Sequence, residues 1–264
     1  MEALNANWIA LRRAAESGVA VLPMGSFEAH GPHLPCGTDC MIVEGIVARA
    51  AAAAGPDAVV VFPTVRYSVV EWARPFASVG LTPATLLAKL ADVARDVHRL
   101  GFRRIVFVQG HGNLPAAQMA MWQLRCEGTR ALFADVCPYL LAAEQAEDLA
   151  GEGLTHAGRI ETALMLALHP ERVDMSAAVD GPENLGGPEP AFPTLYGRPG
   201  VFSTPSSAAL PDGVEGSATT ASADLGRKLL ALYAAALAEV FGDLLGEEVP
   251  RAFLDEIRRD PPGD

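Results

Sequence analysis

A chain of 264 residues, half of them hydrophobic and with a net charge of −12, can bury a sizeable core in one large domain or two small ones. The acidic balance excludes an extended nucleic-acid surface, because phosphate binding needs clustered Lys and Arg, although a local cluster could still hold a small anion. Met1 is followed by Glu2 and a polar stretch, and no uncharged apolar run approaches the roughly 20 residues of a membrane span, so a soluble cytoplasmic protein without membrane attachment is expected.

Short Val- and Ile-rich runs alternate with longer segments of helical period, the pattern of βα units around a parallel sheet. The expected fold is therefore one α/β domain over residues 1–246, a mostly parallel central sheet flanked by helices. Gly18 to Leu22 reads as a buried strand that ends at Pro23. Cys40 to Ala54 reads as helix, stopped by Gly55-Pro56, and Ala58 to Phe62 as a second strand. Pro83 to Leu100 is a strongly amphipathic helix, with Thr82 placed to cap it and Gly101 to end it. Arg104 to Val108 is a third strand, Ala116 to Glu127 a helix and Ala131 to Val136 a fourth strand. Arg159 to Leu168 is helix, closed by His169-Pro170. Residues 181–216, rich in Gly, Pro and Ser, read as a surface excursion acting as a lid or inter-subunit arm, with a disordered linker as the alternative. A long Ala/Leu helix follows from Ser222 to Leu245, and 247–264 form a polar tail. The four cysteines show no CxxC spacing and read as reduced thiols.

Five potential metal ligands stand in three Gly-rich blocks. The first runs Gly25-Ser-Phe-Glu28-Ala-His30-Gly-Pro-His33-Leu-Pro-Cys-Gly-Thr-Asp39; the second is Gln109-Gly-His111-Gly-Asn113; the third is His156-Ala-Gly-Arg-Ile-Glu161-Thr. Two imidazoles and three carboxylates can hold two divalent ions if one carboxylate bridges them, and such a pair activates water and clamps the oxygen on which charge develops. The mixed N/O set suits zinc, manganese or iron(II), and the lack of a cysteine ligand argues against a closed structural zinc site. The first two blocks fall just past the carboxyl ends of strands, where open α/β sheets place their chemistry. Each residue also has a plainer reading: Asp39 as N-cap of the helix from Cys40, Glu161 as a first-turn carboxylate on the helix dipole. His156 reads as a proton-transfer group, with a cap or a ligand as alternatives. His33 reads as a residue behind the ligands, orienting one of them or the loop. Gln109 and Asn113 are candidates to donate to a bound amide or to turn backbone, and His98 reads as a solvated helix residue.

These blocks, in this order over about residues 19–170, resemble the creatininase family of amidohydrolases, with its G-S-x-E-x-H-G-P-H-L-P-x-x-T-D, G-H-G and H-x-G-x-x-E-T segments. The resemblance implies a creatininase-like fold and two divalent ions per chain, zinc first, with manganese or iron(II) as alternatives. It places Glu28, Asp39 and His111 on one ion and His30, Asp39 and Glu161 on the other, Asp39 bridging, and it makes His156 the proton shuttle. The implied reaction is hydrolysis of a C–N bond in a small amide, cyclic amide or formamide by a metal-activated hydroxide, in a homo-oligomer, a hexamer by resemblance. The alternatives are a peptidase, a non-hydrolytic lactam-forming member, or a non-catalytic scaffold of the same fold. The chain departs from the family around the pocket. Creatinine-cleaving members carry Glu where Asn113 stands, and the family's S-x-E-H-x-x-F-P-G-T stretch has Trp72 for its His and no Pro-Gly-Thr turn. Trp72, Arg74 and Asn113 are the candidate substrate contacts, with Arg66 and Phe76 as further pocket walls.

Overall fold

Alternation along the Val-rich runs decides the architecture. In the computed structural model, which describes residues 1–55, 57–70, 73, 76–112, 115–182, 210 and 212–246, four strands form one all-parallel sheet. They are Val19–Met24 (β1), Val59–Val61 (β2), Arg104–Gln109 (β3) and Leu132–Val136 (β4), in the order β2-β1-β3-β4. Val19, Val21, Val106 and Val108 face one helical layer; Ala20, Leu22, Ile105 and Phe107 face the other. That is the two-residue period of a pleated strand buried on both sides.

The helices are Trp8–Ala15 (α1), Thr38–Ala53 (α2), Pro83–Leu100 (α3), Ala116–Cys126 (α4), Pro138–Leu141 (α5), Ala143–Ala150 (α6), Arg159–Leu168 (α7) and Ala223–Gly246 (α8). α1, α3 and α4 cover one face; α2, α5, α6, α7 and α8 cover the other. α3 is as predicted: Leu86, Leu90, Ala94 and Val97 make its buried stripe, and Thr82 Oγ1 accepts from Thr85 N–H at 3.2 Å. The chain leaves β1 through α2 towards β2 and leaves β3 through α4 towards β4. β1 and β3 are therefore neighbours whose connections run to opposite flanks, a topological switch point. The loops after these two strands splay apart into a crevice, and they carry the first and second blocks.

Several boundaries differ from expectation. β1 continues through Pro23 to Met24, because β2 stops at Val61 and the Pro23 carbonyl still accepts from Val65 N–H at 2.8 Å. α2 begins at Thr38, with Gly37 rather than Asp39 at the cap position. Three short helices, α1, α5 and α6, were not anticipated. His98 is half-buried, not solvated, with its Nδ1 3.0 Å from the Arg103 guanidinium. α8 is long and apolar enough, by length and composition, to cross a membrane. It nevertheless buries Leu229, Leu230, Tyr233, Leu237 and Phe241 in the shared core and carries Asp224, Arg227, Lys228, Glu239 and Asp243. It is a core helix. Most of the 181–216 excursion and the whole 247–264 tail lie outside the described residues. Where the excursion is described it is anchored: Gly181 N–H donates to Gly216 O at 2.9 Å, and Glu215 N–H to His156 O at 2.8 Å.

α7 and α8 meet at Gly226, where a Cβ would stand 1.8 Å from the Ala163 carbonyl oxygen and 2.5 Å from its carbon. Backbone cannot yield as a flexible side chain does. Gly226→Ala is expected to separate the helices and cost about 1–3 kcal/mol, the usual range for overpacking. Denaturant unfolding measures it, and an unchanged midpoint would mean that this contact is slack.

Candidate metal centre

All five candidate ligands converge at the mouth of the crevice. Glu28 and His30 come from the loop after β1, Asp39 from the first turn of α2, His111 from the loop after β3 and Glu161 from the first turn of α7. The β3 loop reaches α2 only because residue 110 is glycine: a Cβ there would lie 2.6 Å from Val43 Cβ and 2.9 Å from the Asp39 carbonyl. Since Thr38 starts α2, Asp39 caps nothing, and its carboxylate turns inward, 2 % exposed.

Each imidazole is oriented through its far nitrogen. His30 Nδ1–H donates to the Glu28 carbonyl at 2.9 Å, so Nε2 points inward, 3.0 Å from Asp39 Oδ1 and 3.8 Å from Glu161 Oε2. His111 is the reverse. Its Nε2–H donates to the Val69 carbonyl at 3.0 Å, and Nδ1 lies 2.9 Å from both Glu28 Oε2 and Asp39 Oδ2. Ser26 Oγ–H donates to Asp39 Oδ2 at 2.7 Å, a contact that sequence reasoning missed although Ser26 stands in the first block.

The electrostatics follow from burying three carboxylates together. Burial disfavours the charged form of His30, yet Asp39, Glu161 and Glu28 outweigh it and raise its pKa to about 10. His111 is likewise raised well above the usual range, with Asp39 and Glu28 prevailing over burial. Burial would raise Asp39, but His30 and His111 hold it well below the ordinary carboxylate range. Glu161 is raised to about 7, chiefly by burial, with His30 opposing. The buried carboxylates thus favour positive charge at the points where nitrogen and oxygen donors converge. Glu28 Oε1 remains buried without a hydrogen-bond partner.

That pattern fits divalent cations. Glu28, Asp39 and His111 form one triad, and His30, Asp39 and Glu161 a second, each with donor atoms within 4.8 Å of one another. The donors are the N/O set that zinc, manganese and iron(II) accept, and each ring's second nitrogen is held by a carbonyl, as ligating histidines usually are. A third grouping, Glu28, His30 and His156, meets the same distance. His156 lies over His30, ring centroids 4.4 Å apart, and its Nε2–H donates to the Ala29 carbonyl at 2.9 Å, which leaves Nδ1 as acceptor. Burial and the neighbouring His30 lower its pKa to about 4.

The remaining candidates divide. His33 is buried, 2.8 Å through Nε2 from Thr162 Oγ1, next to Glu161. Gln109, a candidate donor to a bound amide or to turn backbone, donates a side-chain N–H to Asp135 Oδ1 at 2.6 Å, a carboxylate on the neighbouring strand. Arg66, a candidate pocket wall, is engaged at 2.6 Å by Glu44 of α2 in an exposed pair. Phe76 packs beside Gly213. Trp72, Arg74 and Asn113 lie outside the described residues.

The chain resembles known proteins along nearly its whole length. The family described as "Creatininase: Creatinine amidohydrolase" matches residues 4–241. The creatinine amidohydrolase of Pseudomonas putida is 28% identical over 258 residues, covering 90% of this chain and 93% of that protein. A mycofactocin precursor peptide peptidase of Mycobacterium tuberculosis is 33% identical over 222 residues, covering 80% of this chain and 79% of that protein. The solved structure of a mutant creatininase of Zn-Zn type superposes with a TM-score of 0.73 at 25% identity, covering 99% of this chain and 98% of that one. With an all-parallel sheet, a carboxylate–imidazole cluster at its switch point and a match along nearly its whole length, the chain belongs to the creatininase family of amidohydrolases, hydrolases of carbon–nitrogen bonds.

Proposed function

We propose that this chain is a dinuclear metal-dependent amidohydrolase that cleaves a C–N bond in a small amide, cyclic amide or formamide. The observation that carries the reading is Asp39, whose Oδ1 faces His30 at 3.0 Å while Oδ2 faces His111 at 2.9 Å. One carboxylate thus serves both triads. Glu28, Asp39 and His111 would hold one cation, and His30, Asp39 and Glu161 the other, with zinc first, in line with the Zn-Zn relative, and manganese or iron(II) as alternatives. When bound, the cations supply Lewis-acid polarisation of the substrate carbonyl and a water acidic enough to attack near neutral pH. The Glu28 and Val69 carbonyls orient the two imidazoles, and Ser26 fixes the bridge. His156 accepts a proton at Nδ1 and delivers it to the leaving nitrogen.

A screen of cyclic ureides, N-formyl compounds and short peptides with zinc- or manganese-loaded protein tests this. Two metal equivalents per chain, activity lost to a chelator and products heavier by one water are expected. Turnover insensitive to chelation would overturn it. Action on a short peptide is a second reading, supported by the 33% identity to the mycobacterial peptidase, and the same screen separates the two.

The chain is also proposed to be cytoplasmic, its four cysteines free, and to assemble as a homo-oligomer, a hexamer by family resemblance. Trp8 and Trp122, 65% and 69% exposed, are large apolar surfaces that assembly would cover. Light scattering at micromolar concentration should give a multiple of the 27.7 kDa chain mass; a monomer refutes this.

A further inference from the structure

Glu161 is held from its own turn, and that turn is held in part from the first block. Its Oε2 accepts the Ala157 N–H at 2.7 Å. Ala157 is fully buried and has φ +53, the left-handed region that residues with a Cβ seldom adopt. An alanine persists there only where its surroundings hold it. Here the residue is held on both sides: its N–H by Glu161, and its carbonyl by Thr162 Oγ1–H at 3.3 Å. A hydroxyl has one proton. With that proton on the Ala157 carbonyl, Thr162 Oγ1 is an acceptor towards His33 Nε2–H at 2.8 Å. Thr162 and His33 are buried, 0% and 2% exposed, and stand 129 positions apart. The path from His33 through Thr162 and Ala157 to Glu161 therefore joins the first block to the third.

Resting on the dinuclear reading, we propose that His33 and Thr162 are positioning residues that hold the Ala157 peptide in its left-handed turn, and thereby fix Glu161 for the cation it would share with His30 and Asp39. The cation that Glu28, Asp39 and His111 would hold does not depend on this path.

Two substitution pairs test it. Thr162→Val keeps the shape and removes the hydroxyl, whereas Thr162→Ser keeps the hydroxyl. His33→Leu removes the donor, whereas His33→Gln retains an N–H at nearly the same reach. In metal-free protein, hydrogen exchange of the Ala157 amide should quicken about tenfold in Thr162→Val and His33→Leu, the effect of losing one net hydrogen bond. It should stay near wild type in Thr162→Ser and His33→Gln. In zinc titrations the Val and Leu variants should lose about 10–100-fold in affinity for one equivalent, the usual effect of removing a ligand's support, and keep the other. Unchanged exchange at Ala157 in Thr162→Val overturns the proposal. So does faster exchange along all of α7, or equal weakening of both equivalents, because each marks a packing role alone. If wild-type protein takes up fewer than two ions, the dinuclear reading fails, and the Ala157 amide still decides the role of the path.

Discussion

Asp39→Ala is expected to abolish turnover and to remove metal from both triads at once. Glu28→Ala or Glu161→Ala should each cost one equivalent, because Glu28 faces His111 while Glu161 faces His30. Asp39 alone faces both rings, through different oxygens. Its loss also leaves Ser26 Oγ without its close acceptor, and removes from His30 its nearest carboxylate and from His111 one of its two. Some destabilisation should therefore accompany the loss of metal. Asp39→Asn separates the two effects: it preserves shape and one oxygen donor but removes the charge and one bridging arm. It should fold normally and retain at most one equivalent. Metal analysis of the purified variants, beside thermal unfolding, makes the comparison. Two equivalents retained in Asp39→Ala would remove the bridging assignment.

The cluster was legible in the sequence because its ligands are crowded into short blocks at fixed spacing, each just after a strand or inside a helix's first turn. Glu28 and Asp39 stand eleven positions apart, so one loop and one helix start deliver both of them with His30. His33 was legible as a support from its place in the first block, whereas the backbone supports were not. His111 is aimed by the carbonyl of Val69, 42 residues away, and His156 by that of Ala29, 127 residues away. Every residue has a carbonyl, so no side-chain pattern announces which one will be used. The short helices escaped for related reasons. α5 and α6 start without a side-chain cap, and α5 has only four residues, anchored by Tyr139 edge-to-face on Tyr233 of α8. α1 did carry a signal, since Asn7 Oδ1 accepts from Ile9 and Ala10 N–H, and Asn is among the preferred N-caps. Gln109 shows the same limit: parallel pairing of β3 with β4 puts its side-chain N–H on Asp135, 26 residues away, a partner that its place two residues before His111 does not announce.

His156→Ala should keep both metals and lose about 10²–10⁴-fold in turnover, the usual contribution of positioned acid–base assistance. Metal retention is expected because Nε2 is committed to the Ala29 carbonyl and the two triads that share Asp39 are complete without this ring. The opposite outcome has a structural basis too, since His156 lies within 4.8 Å of donor atoms on Glu28 and His30. The variant therefore decides between proton carrier and ligand. If Nδ1 hands a proton to the leaving nitrogen, the penalty must depend on how badly that nitrogen needs it. An ordinary alkyl amide, whose amine leaves poorly as an anion, should show the full loss, whereas an anilide bearing electron-withdrawing groups should show little. Turnover numbers on both substrates, with metal content on the same samples, give the answer. Equal damage on both would remove the leaving-group role, and loss of one metal equivalent would make His156 a ligand.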